Sequence, residues 1–419
     1  MQRIRMSLPY FKMFGWEPEI VTVDDKYSDL EKDELLLQSI PAGIIVHKIK
    51  ALNKRCTSKI GLGSIALRSI PYYRKKVNSL LKSGQYDLIY FSTTQFQVCI
   101  LGAYWKKKFN IPYVMDMQDP WHSEYYRDKP KEQQPRKYWF SYLLNKYLEP
   151  IAIKNCDGLI SVSKYYIDDL KERYPVIKNI PEATITFGSF KKDLAIADAN
   201  QLQFKPLLNH AFINIVYAGR GGLDMHKSIA PLFAALKTGL NNEPLWFNKI
   251  RLFFIGTSYA GEGRGTPTIL PLAKQYGVEE NVAEITNRIS FYHTLVTLKQ
   301  ADALFIPGSD DPKYTASKIY PYLFTHKPLL SIFNSKSGAV DVLNEFGITD
   351  NYTYDATEFL HDKIYGFLLK TIKKGVVFPI YNKTAEEKYS AENMTRRQCT
   401  LFNSILSEGA SIKIMGELI

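Results

Sequence analysis

Short apolar runs alternate with longer amphipathic ones along the whole chain. The runs "EPEIVTVDD", "AGIIVHKI", "YDLIYFST", "IPYVMDMQD" and "CDGLISVS" are bounded by polar residues and turn formers, the pattern of strands buried in a parallel sheet. Between them, apolar positions return at three- and four-residue intervals. "SIPYYRKKVNSLLKSG" places Ile70, Tyr73, Val77, Leu80 and Leu81 roughly on one side of a helix and Arg74, Lys75, Lys76 and Lys82 on the other. "FQVCILGAYWKKKF" and "RKYWFSYLLNKYLEPIAIKN" also read as helices. The alternation resumes later, with strands expected at "FINIVYAGR", "IRLFFIGTS", "RISFYH", "ADALFIPGS" and "KPLLSIF". Repeated strand-helix alternation predicts an α/β chain of two doubly wound, Rossmann-like domains with ligands beyond the C-terminal strand ends.

The stretch "KKDLAIADANQLQFKPLLNH", Lys191 to His210, has no clean period and marks the boundary. It gives an N-terminal domain over 1–195 and a C-terminal one over 205–383. The long amphipathic segment after Thr384 predicts a last helix over 384–408 that packs back on the N-terminal domain. "RIRMSLPYFKMFGW" is helix-like where such a sheet begins with a strand and a glycine-rich turn, so the first strand is expected to be missing or the start truncated.

Composition narrows the class. At 419 residues, 45% hydrophobic and 23% charged, the chain has a globular balance and enough length for two cores. Its net charge of +12 is uneven: residues 1–210 hold 32 Lys and Arg against 22 Asp and Glu, the rest 22 against 20. From Ile45 to Met115 there are thirteen basic residues and one acid, Asp87. The basic face of the "SIPYYRKKVNSLLKSG" helix is either a solvated surface or one that rests on anionic lipid. Nucleic acid is not expected as a partner, because no helix-turn-helix, RNP-type or zinc-finger pattern accompanies the charge. No window approaches the roughly 18 uninterrupted apolar residues of a membrane span. Cys56, Cys99, Cys156 and Cys399 are far apart and form no CxxC, which predicts a cytoplasmic protein, peripheral at most on the inner face of the membrane.

Three stretches carry candidate chemistry. "YAGRGG" puts Gly219 and Arg220 between a strand and the helix "MHKSIAPLFAALKTG", where free amides and a cation suit a phosphate, although glycine-rich strand-to-helix turns are common without one. "GLGSIA" at Gly61 follows no strand and is a decoy, and "GTSYAGEGRGTP" reads as a flexible loop. In "PGSDDPKYTASKIYPYLF", Asp310 and Asp311 stand in a loop and Thr315 or Ser317 caps a helix in which Pro321 falls about fourth, where a missing amide costs little. In "MDMQDPWHSEYY", Asp116, Asp119 and His122 lie at a strand's carboxyl end, with Trp121, Tyr125 and Tyr126 able to stack on a sugar or an apolar chain. An ordinary turn at Asp119-Pro120 and a core Trp121 are the alternatives. The histidine spacing shows no metal site, and no GxSxG elbow or Cys/His nucleophile pair is present.

Together these stretches resemble the GT-B nucleotide-sugar glycosyltransferases, in particular the large retaining group of glycosyltransferase family 4 type. "FKMFGWEPEIVTVDD" is similar to that group's first helix and second strand. "IPYVMDMQDPW" is similar to its "PyvvDfRDpW" segment, "CDGLISVSKYYIDDLKERY" to its "aD.vi.vS....e.l" segment, and "YAGR" to its glycine-arginine turn. "ADALFIPGSDDPKYTASKIYPYLFTHKPLL" resembles its donor stretch, often "PsKlfeYLaagkPil". The resemblance implies two domains facing across a cleft, a nucleotide-sugar donor, and a polysaccharide or lipid-linked acceptor. It implies transfer with retention and without a metal or other cofactor. It matches Arg220 to that group's diphosphate Arg, Lys227 to its Lys, and Ser317 and Lys318 to the start of its donor helix. Joined to the reading of the residues themselves, this puts the donor at Gly219, Arg220, Lys227, Asp310, Asp311, Tyr314, Thr315, Ser317 and Lys318, with Arg220, Lys318 and Asp119 as catalytic groups and Asp116, Asp119 and His122 on the acceptor side. The chain departs from the group at Lys313 and Pro321, which stand where many relatives carry a Glu pair, and at Gln118, where Arg is frequent. A non-catalytic relative that binds a nucleotide-sugar or glycan is the alternative.

Overall fold

The structure is a computed structural model that describes residues 2–28, 33–58, 62–124, 126–131, 134, 138–261, 263–311, 319–373 and 382–416. It divides into two compact units: 1–32, 40–188 and 391–419 form the first, and 33–39 with 189–390 the second.

In the first unit, β3 (Ile89–Ser92), β4 (Tyr113–Met117), β5 (Gly158–Ser161) and β6 (Glu182–Thr184) form a parallel sheet in that order. A separate parallel pair joins β1 (Glu19–Val23) to β2 (Ile45–Ile49), with Glu19 opposite Ile45. Among the described residues β1 pairs only with β2 and β3 only with β4, so each has an unpaired edge. β4 and β5 are buried throughout, as continuous apolar runs in a parallel sheet should be. The helix Ile65–Leu81 buries Ala66, Val77 and Leu81 and leaves Arg74, Lys75 and Lys82 exposed. The last helix, Ala391–Gly416, packs on this unit: Gln398 donates to the Ser7 hydroxyl at 2.8 Å, Arg397 to the Thr184 carbonyl at 2.7 Å, and Phe402 meets Phe11, Trp16 and Tyr90. Gly158 admits it, since a Cβ there would stand 2.6 Å from the Ile405 side chain.

The second unit holds a six-stranded parallel sheet in the order β12-β11-β10-β7-β8-β9. Its strands are β7 (Ile213–Ala218), β8 (Ile250–Ile255), β9 (Val282–Ile285), β10 (Ala303–Pro307), β11 (Leu329–Phe333) and β12 (Asn351–Thr353). From β7 the chain builds outward through β8 and β9, then returns to β7's other side and continues through β10 to β12. The C-terminal ends of β7 and β10 therefore flank a topological switch point, where open α/β sheets bind ligands.

Two expectations change. The first part of the presumed boundary stretch is regular: Lys191–Ala199 forms a helix whose Ile196 and Ala197 pack with Tyr292, Leu295 and Val296 in the second unit, and the compact units divide at 188/189. "RISFYH" is not a strand. Ser290 accepts the His293 amide as an N-cap, and the helix Phe291–Gln300 follows.

Candidate functional site

β7 runs out at Ala218 and the chain turns through Gly219, Arg220, Gly221 and Gly222 before the helix His226–Asn242. The turn is tied on both sides. Gly219 N–H donates to the Ile255 carbonyl at 2.9 Å, Gly221 N–H to the Thr257 carbonyl at 2.8 Å, and the Tyr217 hydroxyl to the Arg220 carbonyl at 2.9 Å. Glycine at 219 is enforced by this packing, since a Cβ would stand 2.4 Å from the Tyr217 hydroxyl oxygen.

Arg220 is oriented by Asp224, four residues onward. Its two terminal nitrogens donate to the two carboxylate oxygens at 3.0 and 2.5 Å, a bidentate pair that fixes the guanidinium plane. Asp224 also accepts from the Ser309 hydroxyl at 2.6 Å, and its carbonyl accepts the Asp310 amide at 2.8 Å. The loop after β10 is thereby fastened to the turn after β7. Burial pushes the Asp224 carboxyl up, but hydrogen bonds from Arg220 and Ser309 outweigh it and hold it below the ordinary range. At the base, Tyr322 O–H donates to the Ala218 carbonyl at 3.0 Å and its oxygen accepts the Ala218 amide at 2.7 Å; Ser228 donates to the Gly308 carbonyl at 2.9 Å.

The structure thus brings Gly219, Arg220, Asp310 and Asp311 to the switch point, with both aspartates exposed. Lys227 is exposed in the first turn of the helix His226–Asn242. Tyr314, Thr315, Ser317 and Lys318 lie outside the described residues. Pro321 is in the short helix Ile319–Leu323. Asp224 and Ser309 are absent from the sequence-based assignment. The i,i+4 spacing of Arg220 and Asp224 was the available signal for the first.

In the first unit, Asp116 is not free to meet a ligand. Its side chain is fully buried, and one carboxylate oxygen accepts from Arg3 Nε at 2.8 Å, Gln118 Nε2 at 2.7 Å, Ser92 Oγ at 3.0 Å and the Tyr90 hydroxyl at 3.1 Å. Its acceptor-side assignment gives way to a structural one, because a carboxylate surrounded by these donors holds β3, β4 and the N-terminal helix Gln2–Ser7 together. Asp119 stands exposed beyond β4, and partial desolvation raises its carboxyl above the ordinary value.

His122 is buried. Its backbone N–H donates to Glu149 at 2.8 Å, its ring lies tilted with its centroid 4.8 Å from that of Tyr142, and Nε2 has no hydrogen-bond partner, with Glu124 3.9 Å away. Glu149, beneath it, is held by Arg173 at 2.5 Å and the Tyr174 hydroxyl at 2.8 Å. Trp121 is core, stacked on Phe96. Burial lowers the imidazole pKa, with Arg173 and Lys146 adding to it and Glu149 and Glu124 opposing it.

A lowered folded-state pKa means that the unfolded chain takes up the proton first, so this group weakens the fold as pH drops below the unfolded value of about 6.5. His122→Gln is therefore expected to flatten part of the fall in Tm between about pH 6.5 and 5, the remainder staying with His293, which burial also lowers. Melting curves across that range check it; an unchanged slope would remove His122 from the account.

Residues 11–181 match the model of Glycosyltransferase Family 4. That match covers less than half of the chain, and what is shown for the whole is the fold, two α/β units of the GT-B type. No curated protein matches it in sequence. Among solved structures, the trehalose-6-phosphate phosphatase N-terminal domain of Candida albicans aligns over 96% of this chain and 92% of its own, at 15% identity and a TM-score of 0.50. Anabaena HepE in complex with UDP aligns over 98% and 94%, at 14% identity and a TM-score of 0.48. A UDP-forming trehalose-phosphate synthase from Burkholderia xenovorans aligns over 82% and 77%, at 12% identity and a TM-score of 0.47. Gly219, Arg220 and Pro321 all lie beyond the residues that match the family model.

Proposed function

We propose that the protein transfers a sugar from a nucleotide-sugar donor to a polysaccharide or lipid-linked acceptor, with retention and without a metal, from the cytoplasmic side of a membrane. The observation that carries this reading is Arg220, held flat by Asp224 at the switch point between β7 and β10. A diphosphate is the ligand that such a site suits. Arg220 supplies a planar cation, and the start of the helix His226–Asn242, which has no side-chain cap, is where a helix offers amide donors to an anion. Lys227 adds a mobile cation, and Lys318 and Ser317 complete the donor set by resemblance. As the anomeric bond lengthens, charge builds on the departing phosphate, and cations fixed beforehand stabilise it without reorganising. The leaving phosphate oxygen takes the acceptor's proton, so no protein base is required. Asp119 is the acceptor-side carboxylate that remains exposed, while His122 is buried.

A second reading is a relative that binds the donor without turning it over, and Pro321 in place of a ribose carboxylate favours it. Thermal shift with UDP, GDP, dTDP and their sugars tests both. The transferase reading expects stabilisation by one nucleotide family, and release of that nucleotide from its sugar when acceptor lipids or glycans are added. Binding with no release selects the second reading, and no shift with any donor would overturn both.

A further inference from the structure

The helix Tyr138–Ile153 is apolar on two opposite sides. Its inner face buries Tyr142, Glu149, Ala152 and Ile153, and Asn145 accepts the Trp121 indole N–H at 3.1 Å. Its outer face leaves Trp139, Phe140, Leu143, Tyr147 and Ile151 exposed by 50, 48, 48, 69 and 46%. At 100° and 1.5 Å per residue these five fall within an arc of about 120° and run for about 18 Å. A continuous exposed apolar stripe of this kind, on the side of the helix away from the core, marks a contact surface.

The surrounding charge selects the occupant. From Arg127 to Lys154 the chain carries seven Lys and Arg (127, 129, 131, 136, 137, 146 and 154) against three acids (128, 132 and 149), and Glu149 is buried on Arg173. Lys146 and Lys154 are exposed beside the stripe. A second copy would bring the same positive charge against itself. Five aromatic and aliphatic side chains, each about half exposed, would bury on the order of 500 Å² per copy, or about 1,000 Å² in total, less than a stable pair of proteins needs. Trp and Tyr among aliphatic residues with flanking Lys is the composition that settles at a bilayer's headgroup level, and the cations favour anionic lipid.

We infer that the outer face of the helix Tyr138–Ile153 docks the protein on an anionic lipid bilayer, lying in the interface plane. No described helix is long and apolar enough to cross a membrane, so the contact is peripheral. The inference stands apart from the transferase reading, because it concerns only this helix and holds whether or not a donor binds.

The test is sedimentation of the full chain with vesicles of equimolar phosphatidylglycerol and phosphatidylcholine at low salt. The expected result is binding that weakens at least tenfold in Leu143→Ser/Tyr147→Ser. Both sites are exposed, so the double variant is expected to keep the parent's circular dichroism and Tm. Lys75→Gln/Lys76→Gln, on the other basic helix, is expected to bind within about twofold of the parent. Absence of binding to the anionic vesicles would overturn the inference, as would equal binding to phosphatidylcholine alone. Loss in the Lys75/Lys76 variant with none in the Leu143/Tyr147 variant would move the contact to that helix, and a dimer in light scattering that the Leu143/Tyr147 variant abolishes would make the stripe a self-association surface.

Discussion

Arg220→Ala is expected to weaken binding of the nucleoside diphosphate by roughly 10- to 100-fold, with little change in Tm. Hydrogen bonds to charged groups contribute about 1.5–3 kcal/mol each way they are measured, and each 1.4 kcal/mol is tenfold in affinity. Arg220 is one-quarter exposed, so its removal leaves no deeply buried charge, and Asp224 keeps the Ser309 hydroxyl as a partner. Arg220→Lys preserves the charge but cannot reproduce the planar two-point grip, and it should recover only part of the loss. Asp224→Asn leaves the guanidinium in place without its ionic anchor and should cost less than removing Arg220. Calorimetric titration of the parent and the three variants with the nucleotide that stabilises the parent measures the series. Unchanged affinity in Arg220→Ala would mean that the diphosphate lies elsewhere, and the functional reading would lose the observation that carries it.

What the sequence disclosed follows from range. β4, β5, β7, β8, β10 and β11 are interior or nearly interior strands, whose both-sided burial writes itself as a continuous apolar run. The three strands missed, β6, β9 and β12, all lie at sheet edges; they are three or four residues long and mostly half-buried, so no run or alternation marks them. "RISFYH" misled because three apolar or aromatic residues in six satisfy a strand, while the decisive signals were Ser290 as a cap and Leu295 and Leu298 repeating beyond it. At the site, Gly219 and Arg220 were legible because a strand, a glycine and a helix follow one another locally. Asp224 was within reach for the same reason. Ser309 was not, since its bond to Asp224 joins positions 85 residues apart. The same limit hid the role of Asp116, whose position after a strand suggested a ligand group; its true partner is Arg3, 113 residues away.

That pair gives a large stability effect in the first unit. Arg3 is fully buried: Nε meets Asp116 at 2.8 Å, NH2 donates to the Ile185 carbonyl at 2.7 Å, NH1 to the Thr186 carbonyl at 3.3 Å, and the guanidinium sits 5.1 Å from the centre of the Phe187 ring. It joins the N-terminal helix to β4 and to the segment after β6. Arg3→Met keeps much of the volume but strands the fully buried Asp116 carboxylate without its countercharge, and breaking one side of a buried pair costs about 3–5 kcal/mol. Whole domains are stable by about 5–15 kcal/mol, so the loss is a large share. Tyr90, Ser92 and Gln118 still donate to Asp116, which keeps the loss finite rather than abolishing the fold. Arg3→Met/Asp116→Asn removes the charge as well and is expected to recover part of it, because an uncharged amide needs no counterion. Urea unfolding followed by tryptophan fluorescence reads this unit, which holds Trp16, Trp105, Trp121 and Trp139, while Trp246 alone reports on the other. A loss below about 1 kcal/mol in Arg3→Met, on the scale of an exposed ion pair, would show that Asp116 is stable without its cation and that the N-terminal helix is held by packing alone.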